Sequence, residues 1–218
     1  MFLELLQKRR SIRAYTDKPV EQEKIDQLIE AALRTPTSRG LMPWEFIVVT
    51  DENLIQELSK AKPHGAGFVK KAKLVFVVCA DPSVSDVWIE DAAIATFSIH
   101  LMAESLGLGS CWVQIRERMH DDNQTAEAYL SDLLQIPKQM KVLSMVSIGY
   151  PAEQKPILLP QARSSISLQA FIPWEFIRYS PTPFLDDLFR LCKVLLWDTE
   201  HSPAVLHSDR RRPAWSSS

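Results

Sequence analysis

Leu74-Val75-Phe76-Val77-Val78-Cys79-Ala80 is seven apolar residues in a row, without a charge or a hydroxyl among them. Successive side chains of a strand point to opposite faces, so an unbroken apolar run requires a sheet covered on both sides. The run predicts the central strand of such a sheet. Downstream, residues 86 to 106 contain neither Gly nor Pro and are rich in Ala, Ile and Leu. That stretch predicts a long helix stopped by Gly107. Its middle is apolar nearly all round, which places it inside a large core or a subunit interface.

Upstream, Ile25, Leu28, Ile29 and Ala32 recur at i, i+3, i+4 and i+7 and predict an amphipathic helix over Glu21 to Leu33. Pro19 precedes it, and Thr35-Pro36 closes it because a residue before proline is pushed out of helical geometry. Pro43 to Thr50, Ser110 to Gln114 and Val142 to Ile148 read as further strands. Residues 53 to 61 and Thr125 to Leu134 read as helices, and residues 1 to 8 as a short helix laid against a larger body. Helices and strands alternate, giving an α+β or α/β layered domain with helices on a central sheet.

A chain of 218 residues with 46% hydrophobic content can bury a real core, and a net charge of -2 offers no field to draw nucleic acid or an anionic membrane. No stretch reaches the roughly 18 apolar residues of a membrane span. Lys8-Arg9-Arg10 follows the first apolar residues, the reverse of a signal peptide's order. Cys79, Cys111 and Cys192 lack CxxC spacing, which indicates neither a zinc site nor a disulfide framework and points to a reducing, cytoplasmic compartment. Asn123-Gln124-Thr125 is read as a chance sequon. Eight of the 14 prolines fall between residues 151 and 218, so residues 1–155 are expected to form the domain and 156–218 an arm and tail. Within the tail, residues 173 to 179 read as a strand and 184 to 197 as an amphipathic helix, with disorder expected beyond Asp198.

Three stretches carry the chemistry. In Arg9-Arg10-Ser11-Ile12-Arg13, extended backbone would point Arg9, Ser11 and Arg13 one way and Arg10 the other. Guanidinium forks bind phosphate oxygens in pairs, and a hydroxyl between them adds a donor. Pro36 to Trp44 is a small polar loop between a helix and a strand. Leu106-Gly107-Leu108-Gly109-Ser110-Cys111-Trp112 follows a helix and enters a strand, the reverse of a dinucleotide fingerprint. Its glycines either let the backbone approach a flat ligand or simply cap the helix. His64, His100 and His120 are isolated and read as structural or surface residues, and Cys111 as a small buried hydrophobe.

Taken in order, Arg9 to Arg13, Pro36 to Phe46, Asp91-Ala92-Ala93 leading into Leu106 to Trp112, and Ser147-Ile148-Gly149-Tyr150-Pro151 resemble the FMN-dependent nitroreductase family over residues 1 to 155. The resemblance implies a three-layer α/β/α sandwich with a mixed, largely antiparallel sheet. It also implies a homodimer joined through the long helix, with FMN at the subunit interface, NADH or NADPH as hydride donor, and a nitroaromatic, quinone or similar flat acceptor. Carried over by position, Arg9, Ser11 and Arg13 hold the phosphate and ribityl chain, with Arg10 adjacent and Lys155 assisting. Thr37, Ser38, Arg39 and Gly40 reach the ring from the other subunit, and the backbone of Gln114 and Ile115 lies near flavin N5 and O4. Gly40 and Met42 stand where members commonly carry Asn and Gln against the ring, and Phe97-Ser98 where Gln-Asn is frequent. The flavin carries the chemistry, so no catalytic side chain and no metal ligand is implied. A flavin-binding scaffold without turnover, a flavin reductase and a reductive dehalogenase are the alternatives that the same site allows.

Overall fold

A computed structural model describes residues 2–157. In chain order its regular elements are α1 (Phe2–Lys8), α2 (Gln22–Leu33), β1 (Trp44–Val49), α3 (Glu52–Leu58), β2 (Leu74–Ala80), α4 (Trp88–Ser105), β3 (Gly109–Gln114), α5 (Ala126–Leu134) and β4 (Lys141–Gly149). The strands lie in the order β1-β2-β4-β3, and each neighbouring pair is antiparallel. The one parallel pairing among the described residues is the bridge between Ser11 and Ser110.

All seven residues of β2 are buried, and the pleat explains why none is polar. Val75, Val77 and Cys79 enter one core with Ile55 and Leu58 of α3 and Leu130 of α5. Leu74, Phe76, Val78 and Ala80 enter the other with Ile25 and Leu28 of α2 and Ala95 and Ile99 of α4. The three layers follow directly, with helices on both faces of the antiparallel sheet.

The ends of elements differ from the sequence reading where local contacts decide them. α3 starts at an Asp51 cap, whose carboxylate accepts the Leu54 amide, and gives way after Leu58 to tighter i to i−3 bonds from Lys60 and Ala61. A 3-10 turn over Gly67–Lys71, too short to show a period, buries Val69 against the α3 side of the core. The expected strand at 173 to 179, helix at 184 to 197, tail beyond Asp198 and Cys192 lie outside the described residues.

Two helices are less covered than a body-facing reading implies. α1 has no buried residue, and Phe2 and Leu3 are 64% and 61% exposed. α4 turns Ala92, Ala95, Thr96, Ile99 and Ala103 into the core, yet Ile94 and Phe97 on its outer side are 45% and 42% exposed. Its all-round apolar character therefore splits into a core face and a face uncovered within the single chain. No described helix is long and apolar enough to cross a membrane.

Candidate functional site

Residues 9 to 16 run as an extended strap along the open edge of β3. Ile12 donates its amide to Ser110 O at 2.9 Å, and Thr16 donates to Tyr150 O at 2.8 Å. Ala152 donates back to Ala14 O, and the Glu153 carboxylate accepts the Arg13 and Ala14 amides. Those bonds hold the Glu153 pKa below the usual carboxylate value. Two glycines make room for the strap. A Cβ at Gly109 would stand 2.7 Å from Ile12 Cγ2, and one at Gly149 would stand 3.0 Å from Tyr15 Cδ1. Tyr15 donates its hydroxyl to Ile12 O at 2.6 Å, and burial pushes its phenol pKa up. Of the two roles open to the glycine turn, the structure shows the packing one: Gly107, at φ 71°, ends α4, and Gly109 is a notch for Ile12.

The alternation expected of an extended run is present. Arg10 and Ile12 line a cleft of about 390 Å³ together with Lys8, Gly109 and Lys155. Arg9, Ser11 and Arg13 lie toward Cys111, whose thiol is pushed up by burial and drawn down by Arg13, Lys155, the Ser11 hydroxyl and Arg9. Lys155 donates to Ser11 O at 2.7 Å and pairs with Glu153 at 3.2 Å. Arg9, Arg10 and Arg13 have no carboxylate partner among the described residues; Arg13 instead stacks over Phe68, 5.6 Å from the ring centre. Arg9, Arg10, Arg13 and Lys155 thus gather along the strap, with Glu153 paired to Lys155 and Glu104 on the rim of the cleft. Planar forks, an ammonium and a hydroxyl make up a donor set that fits a phosphate monoester.

Beneath the strap, His100 of α4 places Nδ1 2.7 Å from Ser110 Oγ, and burial, with Arg9 nearby, lowers its pKa to about 4. The imidazole is neutral and structural. His120 stacks on Tyr129 with centroids 4.1 Å apart, and His64 is exposed.

The loop Thr37 to Met42 has Arg39, Gly40 and Met42 at φ 54°, 69° and 49°, a left-handed geometry uncommon for the two that are not glycine. Thr37 Oγ1 accepts the Met42 amide, Arg39 pairs with Asp86 at 2.9 Å, and Ser38 donates its amide to Asp91 Oδ1. Gly40 and Met42 face solvent. At the far end of β3, the Gln114 side chain accepts from Trp112 Nε1 and donates to Arg116 O. Ile115 is fully buried, and its amide already donates to Leu143 O.

The expected site residues fall into separate groups within one chain. The strap lies against β3 at the end of the sheet where Gly109 meets Gly149. The loop leads into Trp44 on β1, at the end where Trp44 meets Ala80 and Ala80 meets Lys141. Three strand spacings, about 14 Å, and a strand length of about 17 Å separate these opposite corners. Gln114 lies on the strap's edge but at the loop's end. Asp91, which served the sequence reading only as a motif marker, proves to hold the loop. Nothing local marks that role, because its partner Ser38 is far away in the chain.

Comparison with known proteins gives consistent matches. A family profile described as the nitroreductase family matches residues 6–81 and 62–150. An Archaeoglobus fulgidus protein, named among NADH dehydrogenases and NAD(P)H nitroreductases, is 38% identical over 157 residues, covering 70% of this chain and 87% of its own. An FMN reductase [NAD(P)H] of Bacillus subtilis is 31% identical over 176 residues, covering 70% of this chain and 67% of its own. Among solved structures, an FMN-dependent nitroreductase from Clostridium difficile R20291 superposes with a TM-score of 0.71 at 47% identity, covering 72% of this chain and 91% of that one.

Proposed function

Since this chain belongs to the nitroreductase family, we propose that it is an FMN-dependent oxidoreductase that takes hydride from NADH or NADPH and reduces a nitroaromatic, quinone or similar flat acceptor. The observation that carries this reading is the group of guanidinium ions on the strap without carboxylate partners among the described residues. Arg9, Ser11 and Arg13 hold the phosphate end, Lys155 adds a charge from the exit of β4, and Arg10 guards the neighbouring cleft. Bound FMN supplies the hydride chemistry, so the protein's work is to bind, orient and tune. Fixed cations near a ring that gains negative charge on reduction stabilise it without reorganising. Thr37, Ser38, Arg39, Gly40 and Met42 border the ring, with Gln114 and Ile115 at the end of β3. None of these needs to act as nucleophile or general base.

The site is shared between two copies of the chain. A two-fold axis beside the outer face of α4 would cover Ile94 and Phe97 and bring the loop of one protomer to the strap of its partner. Residues 1–155 form the FMN-binding domain. The buried, unpaired thiols of Cys79 and Cys111 accord with a cytoplasmic setting.

An absorbance spectrum of the purified full chain tests this reading. Flavin bands are expected, with bleaching by NADH or NADPH and recovery on adding a nitroaromatic or a quinone. A colourless protein whose melting temperature is indifferent to added FMN overturns it. A yellow protein that oxidises neither nucleotide favours a flavin-binding scaffold, the reading that the apolar Gly40 and Met42 would then support.

A further inference from the structure

We propose that Asp91 is a positioning residue for the ring-facing loop: its buried carboxylate ties Thr37 to Met42 to the start of α4 without itself touching cofactor or acceptor. The inference rests on the reading that this loop borders the flavin. Asp91 is only 3% exposed, and a buried carboxylate is costly unless its oxygens are satisfied. One oxygen accepts the Ser38 amide at 2.8 Å and the other accepts the hydroxyl of Ser85, itself 1% exposed, at 2.9 Å. Its place in the first turn of α4 adds the favourable end of the helix dipole.

The loop has few other ties to the body. The amides of Gly40, Leu41 and Met42 are all accepted within the loop, so those bonds move with it. The Arg39–Asp86 pair is exposed on both sides and contributes little. Left-handed backbone at Arg39 and Met42 persists only where surrounding structure holds it. Asp91 is the buried anchor that does so.

The test uses the full-length holoenzyme as wild type, Asp91→Ala, Asp91→Asn and Ser85→Ala. Trypsin cleaves after Arg39 when the loop opens. Losing two buried hydrogen bonds is expected to speed that cleavage about tenfold in Asp91→Ala. KM for a nitroaromatic acceptor should rise by about the same factor, while FMN affinity, carried mainly by the charged donors of the strap, changes by less than about twofold. Asp91→Asn, which keeps an acceptor for Ser38, should recover most of the loss, and Ser85→Ala should cleave about threefold faster than wild type. Wild-type cleavage and KM in Asp91→Ala overturn the proposal, as does a fall in FMN affinity matching the change in KM. If Asp91→Ala does not fold, wild-type cleavage in Ser85→Ala overturns it. The proteolysis needs no flavin, so a colourless wild type would sink the functional reading while the tie is still measured.

Discussion

Arg9 and Arg13 both lie close enough to Cys111 to draw its thiol pKa down, and neither has a carboxylate partner among the described residues. A hydrogen bond to a charged group is worth about 1.5 to 3 kcal/mol, so replacing either with alanine should weaken FMN binding by about 10- to 100-fold. Fluorescence quenching titrations would read this, and Arg10→Ala, on the opposite face, should lose less. An unchanged affinity would place the phosphate elsewhere. His100 gives a second outcome, with the same sign of pH dependence as a paired carboxylate but displaced to higher pH. Its folded pKa is depressed to about 4, below the unfolded value of about 6.5, so the unfolded chain binds the proton more readily. Its contribution is therefore complete above about pH 6.5 and is lost as pH falls toward 4, an effect on the order of 3 kcal/mol. Urea unfolding of wild type and His100→Gln across that window should show a shallower acid limb in the variant.

At the scale of elements, the strap depends on a notch. Alanine at Gly109 would push a methyl against Ile12 at 2.7 Å, where the Ile12 amide is bonded to Ser110 O of β3. Overpacking of this kind costs about 1 to 3 kcal/mol, so Gly109→Ala should lower the melting temperature, and a double variant with Ile12→Ala should recover part of it. The strands and helices that local pattern determines were readable from the chain alone: the apolar run of β2, the period of α2, the length of α4. Gly109 and Gly149 were visible as glycines at element ends, but the side chains that fill their places, Ile12 and Tyr15, come from the other end of the domain. No periodicity in one sequence joins such pairs. The same holds for Asp91 and Ser38, and for the 3-10 turn at Gly67–Lys71, whose form follows from burying Val69. The Arg run was legible because its chemistry is local: charge type and alternation are enough to suggest a phosphate grip before any partner is known.

For the whole molecule, the proposed two-fold dimer answers both the corner problem and the uncovered helix face. Strap and loop cannot meet within a chain whose sheet separates them by its full width and length. Ile94 and Phe97 on α4, with Phe2 and Leu3 on α1, leave apolar surface that a lone domain has no reason to expose together. Because a two-fold interface repeats every substitution, one buried charge per chain enters the seam twice. Phe97→Asp should therefore cost several kcal/mol of association and shift the protein to monomer in sedimentation equilibrium. FMN should be lost along with the dimer, although Arg9, Ser11 and Arg13 are untouched. Met119→Asp is the matched control: Met119 is 48% exposed, but its loop closes onto Ala126 of α5, on the opposite face of the sheet from α4. That variant should remain dimeric and yellow. A Phe97→Asp protein that stays dimeric, or a monomer that still holds FMN at wild-type affinity, would mean that each chain builds its site alone, and the separation of strap and loop would then need another explanation.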